Sequence, residues 1–297
     1  MNTLAESPHF DFTQMVSQHY KDLTKSEKRI ANYLRKNQDE SAFLSAAEVA
    51  DRLGISEATV VRFARTLGFP SYPAMRTHLQ ENFYQRVTHS TRLRTKLADL
   101  REAGDIFERL TVSEIDYLSQ ALTSVDRGAL QQSVALLKNS QRIFVYGLGP
   151  SLSLVDLMEI RLRRFGKDVI ALRTSGREVF ESLLSLNARG LIFIITFFDL
   201  NPSQQLILDY AREVNCPVIM LTDTLEAVVA DKVNVVLAAK RGPISEFHSL
   251  VVPMTIINTL LLSLAGEEQE QVTANLDKLD QLRERLMQAN QNFSATP

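Results

Sequence analysis

The chain has one cysteine, five histidines and almost no net charge. Cys216 stands alone among 297 residues, so no disulfide can close within the chain, which suits a reducing compartment. It lies at the mouth of the apolar run Pro217-Val-Ile-Met-Leu221, a setting for buried packing rather than for a nucleophile. The histidines are scattered and match no metal-ligand spacing, so neither a metal nor another cofactor is expected. The longest mostly apolar runs, near Leu191–Phe198 and Thr255–Ala265, are too short to span a bilayer. No basic-then-apolar leader opens the sequence. A cytoplasmic protein without a membrane partner is the expectation. A net charge of −2 does not announce a nucleic-acid partner either. Its distribution says more. Arg62, Arg65, Arg76, Arg86, Arg92, Arg94, Lys96 and Arg101 face only Glu81 and Asp99 over the same stretch, so a near-neutral average conceals a basic segment. A solvated helix surface explains its Arg86–Arg101 part equally well.

What is present falls into two patterns, and the length suits two domains. The first part reads as helices. Thr24 and Glu27 have the spacing of a capping box, and Ile30, Tyr33 and Leu34 supply the apolar face behind it. Ser45 and Glu48 make a second box, with Leu44 and Val49 as a hydrophobic staple across it. That helix runs to Leu53, and Gly54 allows a left-handed end. Ser56 is placed to cap a third helix from Glu57 to about Leu67, and a fourth runs from Met75 to about Val87. From Arg92 to Asn139 the pattern stays helical. Ile106, Leu110, Ile115, Leu118 and Leu122 mark one apolar face there, which predicts packing on a partner subunit or on the next domain.

From residue 142 the period changes. Arg142–Tyr146, Asp168–Leu172, Leu191–Ile195, Pro217–Leu221 and Val233–Leu237 are short runs rich in branched residues. Helical patterns over Ser151–Phe165, Arg177–Leu186 and Pro202–Val214 separate the first four. Near-continuous apolar strands alternating with helices predict a five-stranded parallel sheet covered on both faces, a three-layer α/β/α, flavodoxin-like domain. A buried helix over about Phe247–Ala265 and an amphipathic one over Gln269–Leu286 follow. The predicted organisation is a helical domain at 1–90, a helical linker at 91–139, an α/β domain at 140–266 and a terminal helix and tail at 267–297.

Within Leu44–Leu67 two helices meet across a tight turn. Ala50 is small where the helices cross, Gly54 tolerates positive φ, and Ile55, Val60 and Phe63 fill the wedge. Ser56, Glu57, Ala58, Val61, Arg62 and Arg65 are left facing outward. Arginine forks suit guanine edges and phosphates, Ala58 and Val61 suit a thymine methyl, and Ser56 and Thr59 lie near the helix start where phosphates bind. This is the geometry of a helix-turn-helix entering a major groove. A small helical bundle used for protein contact is the bland alternative.

The runs Leu23–Leu34, Leu44–Ala50 and Gly54–Phe69 resemble the N-terminal domain of RpiR-type (MurR/RpiR) bacterial transcription regulators. In that family a sugar-isomerase-type (SIS) domain follows, and the alternation from Arg142 to Ala265 is similar to it in order and length. The resemblance implies a DNA operator, a sugar-phosphate or related acidic effector, a homodimer or higher homo-oligomer, and no catalysis. An aldose–ketose isomerase with an added helical module is the rival class; it predicts turnover of a sugar phosphate that survives deletion of residues 1–90.

The first predicted strand runs into Gly147-Leu-Gly149-Pro-Ser151-Leu-Ser153, a turn that offers backbone N–H groups to an anion at the edge where parallel sheets bind ligands. The resemblance assigns Gly147, Gly149 and Ser151, and Ser153 beside them, to a phosphosugar site. A dinucleotide is disfavoured, because the third glycine is missing and Leu172-Arg173-Thr174-Ser175 carries no acid for a ribose. Arg173, Thr174 and Ser175 are instead candidate contacts for an acidic metabolite. After the third strand, SIS domains usually carry Ser-x-Ser-Gly-x-Thr. Here the stretch is Thr196-Phe-Phe-Asp-Leu-Asn201, which keeps one hydroxyl and adds a carboxylate that repels phosphate by about 1 kcal/mol or more at contact. Weak binding of a phosphosugar, or a different ligand, is therefore expected. Asn201 can cap the helix that Pro202 begins. Glu246 and His248 are possible ligand contacts near the last strand, and Ser245 is a candidate cap for the helix after it.

Overall fold

The computed structural model describes residues 12–101, 105–197, 200–223, 225, 229–242 and 247–294. It divides into two compact units, Met1–Val112 with Gly242–His248, and Ser113–Arg241 with Ser249–Pro297.

The first unit is helical: α1 (Phe12–His19), α2 (Lys25–Lys36), α3 (Gln38–Ser41), α4 (Ala46–Leu53), α5 (Glu57–Thr66), α6 (Tyr72–Arg86) and α7 (His89–Arg101). Local chemistry sets the helix starts. Thr24 and Ser45 each accept an N–H from the third helical residue, and Glu27 and Glu48 return the bond. Leu44 and Val49 are both buried, as a staple requires. Gly54 closes α4 in the left-handed region at φ 59°, and the next N–H, from Ile55, reaches back 3.0 Å to the Ala50 carbonyl. One core unites the helices: Val16, Ile30, Leu34, Val49, Val60, Phe63 and Met75 are all fully buried. Burial of side chains such as Val60 and Phe63 stabilises the fold by about 1.5–3 kcal/mol apiece.

The linker helix α8 (Ile106–Ser124) and α9 (Arg127–Asn139) lead into the sheet. Then follow β1 (Arg142–Gly147), α10 (Leu152–Arg164), β2 (Asp168–Leu172), α11 (Glu178–Leu183), β3 (Gly190–Ile195), α12 (Pro202–Glu213), β4 (Val218–Thr222), β5 (Val235–Ala238), α13 (Val251–Glu267) and α14 (Gln269–Ser294). The sheet has five strands in the order β2-β1-β3-β4-β5, and every pairing is parallel. Ile143, Val145, Phe193 and Leu221 share one core with Leu137, Met158 and Ile257 of α9, α10 and α13. Phe144, Tyr146, Ile194 and Met220 share another with Leu183 and Ile207 of α11 and α12. Both faces are dry, which is why the strands read as unbroken apolar runs rather than alternating ones.

Three expectations shift. The helix expected from Phe247 begins at Val251, and residues 247–250 are not helical. Of the apolar row on α14, Val272 is buried and Leu276 and Leu279 are half-buried, but Leu282 and Leu286 face solvent. On α8 only Leu118 of the predicted row packs on the sheet's core, together with Tyr117 and Ala121. Ile106, Leu110, Ile115 and Leu122 are exposed, as is Phe107.

Glu27 does more than close its capping box. One carboxylate oxygen accepts the Thr24 N–H at 2.9 Å and the Thr24 hydroxyl at 2.7 Å, and the other accepts the Thr66 hydroxyl at the end of α5 at 2.8 Å. Burial alone would raise its pKa, but the Thr24 bonds, the Thr66 hydroxyl and the nearby Arg62 charge together hold it below the usual 4.5. A depressed carboxylate contributes stability above its unfolded pKa and loses it as pH falls through the folded one. The first unit is therefore expected to weaken on acidification below about pH 5, and Glu27→Gln should flatten that slope. Thermal unfolding followed by circular dichroism from about pH 3 to about pH 7 checks this; equal slopes for the two proteins would contradict the tie.

Candidate functional site

The α4–α5 wedge forms as its residues dictate. Ala50 of α4 and Val60, Phe63 and Ala64 of α5 are buried in one core, with Ile55 packed at its margin. The outer side of α5 then carries Glu57, Ala58, Arg62 and Arg65, all exposed. Ser56 occupies the N-cap position, but its hydroxyl bonds the Thr59 hydroxyl at 2.8 Å rather than a helix N–H, so the expected cap is not made. Arg62 donates to the same Thr59 hydroxyl at 3.3 Å, which leans its side chain along the helix start. Val61 is half-buried and rests on the core, so it presents less apolar surface than expected. Arg29 and Arg52 have structural partners: Arg29 donates to the Leu53 carbonyl at 2.6 Å, and Arg52 bridges the Tyr33 hydroxyl and Glu40. Arg92 and Lys96 are buried, with Arg92 over the Phe83 ring, so this part of the basic segment is not a solvated face. The side chains of Arg86 and Arg101 lie outside the described residues.

At the second site β1 ends in Gly147. A Cβ there would stand 2.8 Å from the Val155 methyl and 3.1 Å from the Ser151 Cβ, so the turn lies too close to α10 for any side chain. Gly149 sits at φ 55°. Ser151 is buried and begins the approach to α10. Ser153 is exposed and gives its hydroxyl proton to the Pro150 carbonyl at 2.9 Å, so it is not the open donor expected of it. Arg173 is clamped by two α10 carboxylates, at 2.8 Å to Asp156 and also to Glu159, and these bonds raise its pKa. Its charge is thus answered within the chain. Thr174 and Ser175 are exposed. Thr196 is half-buried and donates its N–H to Leu221 at 3.1 Å. Asn201 caps α12 as expected, with Gln204 completing a capping box that the sequence reading did not include. Phe198, Asp199, Ser245 and Glu246 lie outside the described residues. His248 is half-buried in Gly242–His248, the short segment grouped with the first unit. A cavity of about 280 Å³ lined by Arg142, Asp168, Asn187 and Arg189 lies at the opposite edge, where strands begin.

The sequence reading missed the most unusual group at the carboxyl edge. Arg241, past β5, and Asp223, just past β4, form an ion pair of 2.8 Å with side chains only 6% and 7% exposed. The Arg241 guanidinium lies 3.6 Å from the ring centre of Phe197, just past β3. Burial pushes the Arg241 pKa down, and Asp223 pulls it back. On the other side of the sheet edge lie the buried hydroxyls of Tyr146 and Thr222; Asn201 lies near enough to the Tyr146 hydroxyl to interact with it, and the Thr222 hydroxyl has no hydrogen-bond partner among the described residues. No periodicity signals the Phe197, Asp223 and Arg241 group, because each of the three sits just past a strand and only the strand order brings them together.

The architecture is that of a helix-turn-helix domain joined to a SIS domain. Residues 11–86 match the helix-turn-helix domain of the rpiR family, and residues 136–263 match the SIS domain. The chain thus carries an rpiR-family helix-turn-helix domain and a SIS domain. An uncharacterized HTH-type transcriptional regulator of Haemophilus influenzae is 29% identical over 51% of this chain and 53% of its own length, so the match spans about half of that relative. One from Thermotoga maritima is 23% identical over 90% of this chain and 96% of its own. The Vibrio vulnificus NanR protein complexed with ManNAc-6P has the same fold, with a TM-score of 0.62 and 21% identity over 93% of this chain and 99% of that one. Among the described residues no single helix is long and apolar enough to cross a membrane.

The close approach at Gly147 is directly testable. Gly147→Ala should destabilise the second unit by about 1–3 kcal/mol through overpacking against Val155 and Ser151. Urea unfolding monitored by circular dichroism measures it; an unchanged midpoint would show that the turn has room.

Proposed function

We propose that this chain is a DNA-binding transcription regulator whose SIS domain senses a sugar phosphate or a related acidic metabolite. The observation that carries this reading is the outer face of α5. Its inner face is locked by Val60, Phe63 and Ala64, and that leaves Arg62 and Arg65 exposed beside Ala58. An arginine-bearing helix held rigidly behind a tight turn suits a major groove. The rpiR-type domain and the regulators it resembles support the same reading. In this reading the chain comprises a reading head at 1–90, a linker at 91–139, a sensor at 140–266 and a terminal helix and tail at 267–297.

Site roles follow. Ser56, Glu57, Ala58, Thr59, Arg62 and Arg65 face the duplex, with Val61 at the margin. Gly147, Gly149 and Ser151 form the floor of the effector site, with Thr196 across from it and Thr174 and Ser175 at its rim. NanR holds ManNAc-6P, and a phosphorylated sugar or acid of that general kind is the effector class proposed for this chain. The working form is a homodimer. Two heads then meet half-sites about one helical turn apart or a multiple of it, and the exposed apolar row Ile106, Phe107, Leu110, Ile115 and Leu122 on α8 is the surface a second copy would cover. The effector acts by binding one arrangement of the dimer better than the other.

DNA binding is expected to be salt-sensitive and sequence-specific. Arg62→Ala and Arg65→Ala should each weaken specific binding by about 1–3 kcal/mol where the arginine touches a base, and about equally across sequences where it touches phosphate. Gel-shift titrations on fragments selected from genomic DNA measure this, and the genes beside those fragments name the effector's pathway. Full affinity in both variants would remove α5 from the groove. For the dimer, Ile115→Ser with Leu122→Ser should yield monomers in analytical ultracentrifugation; an unchanged mass would move the interface elsewhere.

A further inference from the structure

We propose that Arg241 is the cation that receives the effector's acidic group, and that Asp223 holds its place until the effector arrives. The inference rests on reading the second unit as an effector sensor and gives that site a residue and a ligand chemistry.

Position comes first. Phe197, Asp223 and Arg241 follow β3, β4 and β5, three neighbouring strands of one parallel sheet. They therefore stand at the carboxyl edge, where ligands bind in open α/β sheets. Phe197 shares its core with Leu154 and Val155, at the start of the helix that rises from the glycine turn. Arg241 is thus bedded on a residue of the same side of the sheet as Gly147 and Ser151. By contrast, the cation nearer at hand in the sequence reading, Arg173, is clamped by Asp156 and Glu159 on the helix surface.

Chemistry comes second. A buried ion pair gains little over well-packed apolar residues, so stability alone does not account for one placed at a ligand edge. Stacking on Phe197 fixes the guanidinium plane, and a planar fork of fixed orientation selects a carboxylate or a phosphate. Asp223 supplies such an oxygen, 2.8 Å from Nε. Its side chain is covered, although the residue as a whole is half-buried. An incoming anion takes the oxygen's place at Arg241, and Asp223 turns outward and regains its hydration.

The exchange has a path onward. The Arg241 carbonyl accepts the Ser249 N–H at 3.3 Å, and the Ser249 hydroxyl donates to Glu114 of α8 at 2.6 Å. These bonds connect the Arg241 backbone to the linker helix.

The test titrates full-length wild type, Asp223→Asn, Arg241→Gln and the double variant with inorganic phosphate, glucose 6-phosphate and gluconate, by calorimetry at constant ionic strength. Asp223→Asn removes the internal competitor and should bind at least one of these anions about tenfold more tightly, whereas Arg241→Gln should lose about 10–100-fold. The double variant places two neutral amides together, so it should fold where a single variant fails and should bind as poorly as Arg241→Gln. Preference for gluconate identifies a carboxylate effector, and preference for either phosphate probe a phosphorylated one. Equal affinity in wild type and an Arg241-lacking variant overturns the proposal, as does failure of Asp223→Asn to take up any of the three. An anion that releases DNA from the Arg241-lacking protein as well as from wild type leaves the sensor reading intact and sinks only this assignment; DNA binding indifferent to every anion sinks the sensor reading itself.

Discussion

In the proposed reading the first unit acts through one short helix, α5, and the Glu27 carboxylate bonds that helix at its end. Glu27 closes the start of α2 and accepts the Thr66 hydroxyl where α5 finishes. The wedge residues behind α5 fix its tilt, and Glu27 fixes how it ends. Arg62 and Arg65 can then project from a rigid surface. Rigidity matters because side chains that must find base edges lose less entropy when their helix is already in place. The same carboxylate lies near Arg62, so the tie also shapes the field around the exposed face.

The second unit solves a different problem. A parallel sheet buried on both faces has stable strands and leaves its chemistry to the loops at one edge. Here that edge holds a glycine turn pressed against α10, two buried hydroxyls on one face, and a buried ion pair on an aromatic ring on the other. Ser249 and Glu114 tie the Arg241 backbone to α8, the helix that runs from the head's residues into the sensor's. In the proposed reading the effector need only prefer one of two arrangements of the linker for its binding to be passed on.

Much of this was legible in the sequence, for physical reasons that can be named. Capping boxes are local, so Thr24 with Glu27 and Ser45 with Glu48 announce their helices within four residues. Gly54 announces a left-handed turn for the same reason. Strands buried on both faces are apolar without interruption, which exposed the parallel sheet. What escaped notice depends on distance along the chain. Glu27 and Thr66 are 39 residues apart, and Asp223 and Arg241 are 18 apart. Nothing in a local pattern says that such pairs meet. Arg173 misled in the opposite direction, since a cation at a strand end reads as available until the helix beside it is seen to supply Asp156 and Glu159. Ser56 and Ser153 erred by one step of the same kind: each hydroxyl found a nearer partner, in Thr59 and in the Pro150 carbonyl.

In the proposed reading α5 lies in a major groove. The lone cysteine makes a direct measurement possible. Cys216 is buried and its thiol is pushed up to about 12, so a cysteine introduced at exposed Ala58 would be the reactive one. An iron-chelate cleavage reagent attached there and activated on a bound duplex should cut the DNA in tight clusters flanking one major groove per half-site. Diffuse or absent cleavage of a duplex that the same preparation shifts in a gel would contradict the account.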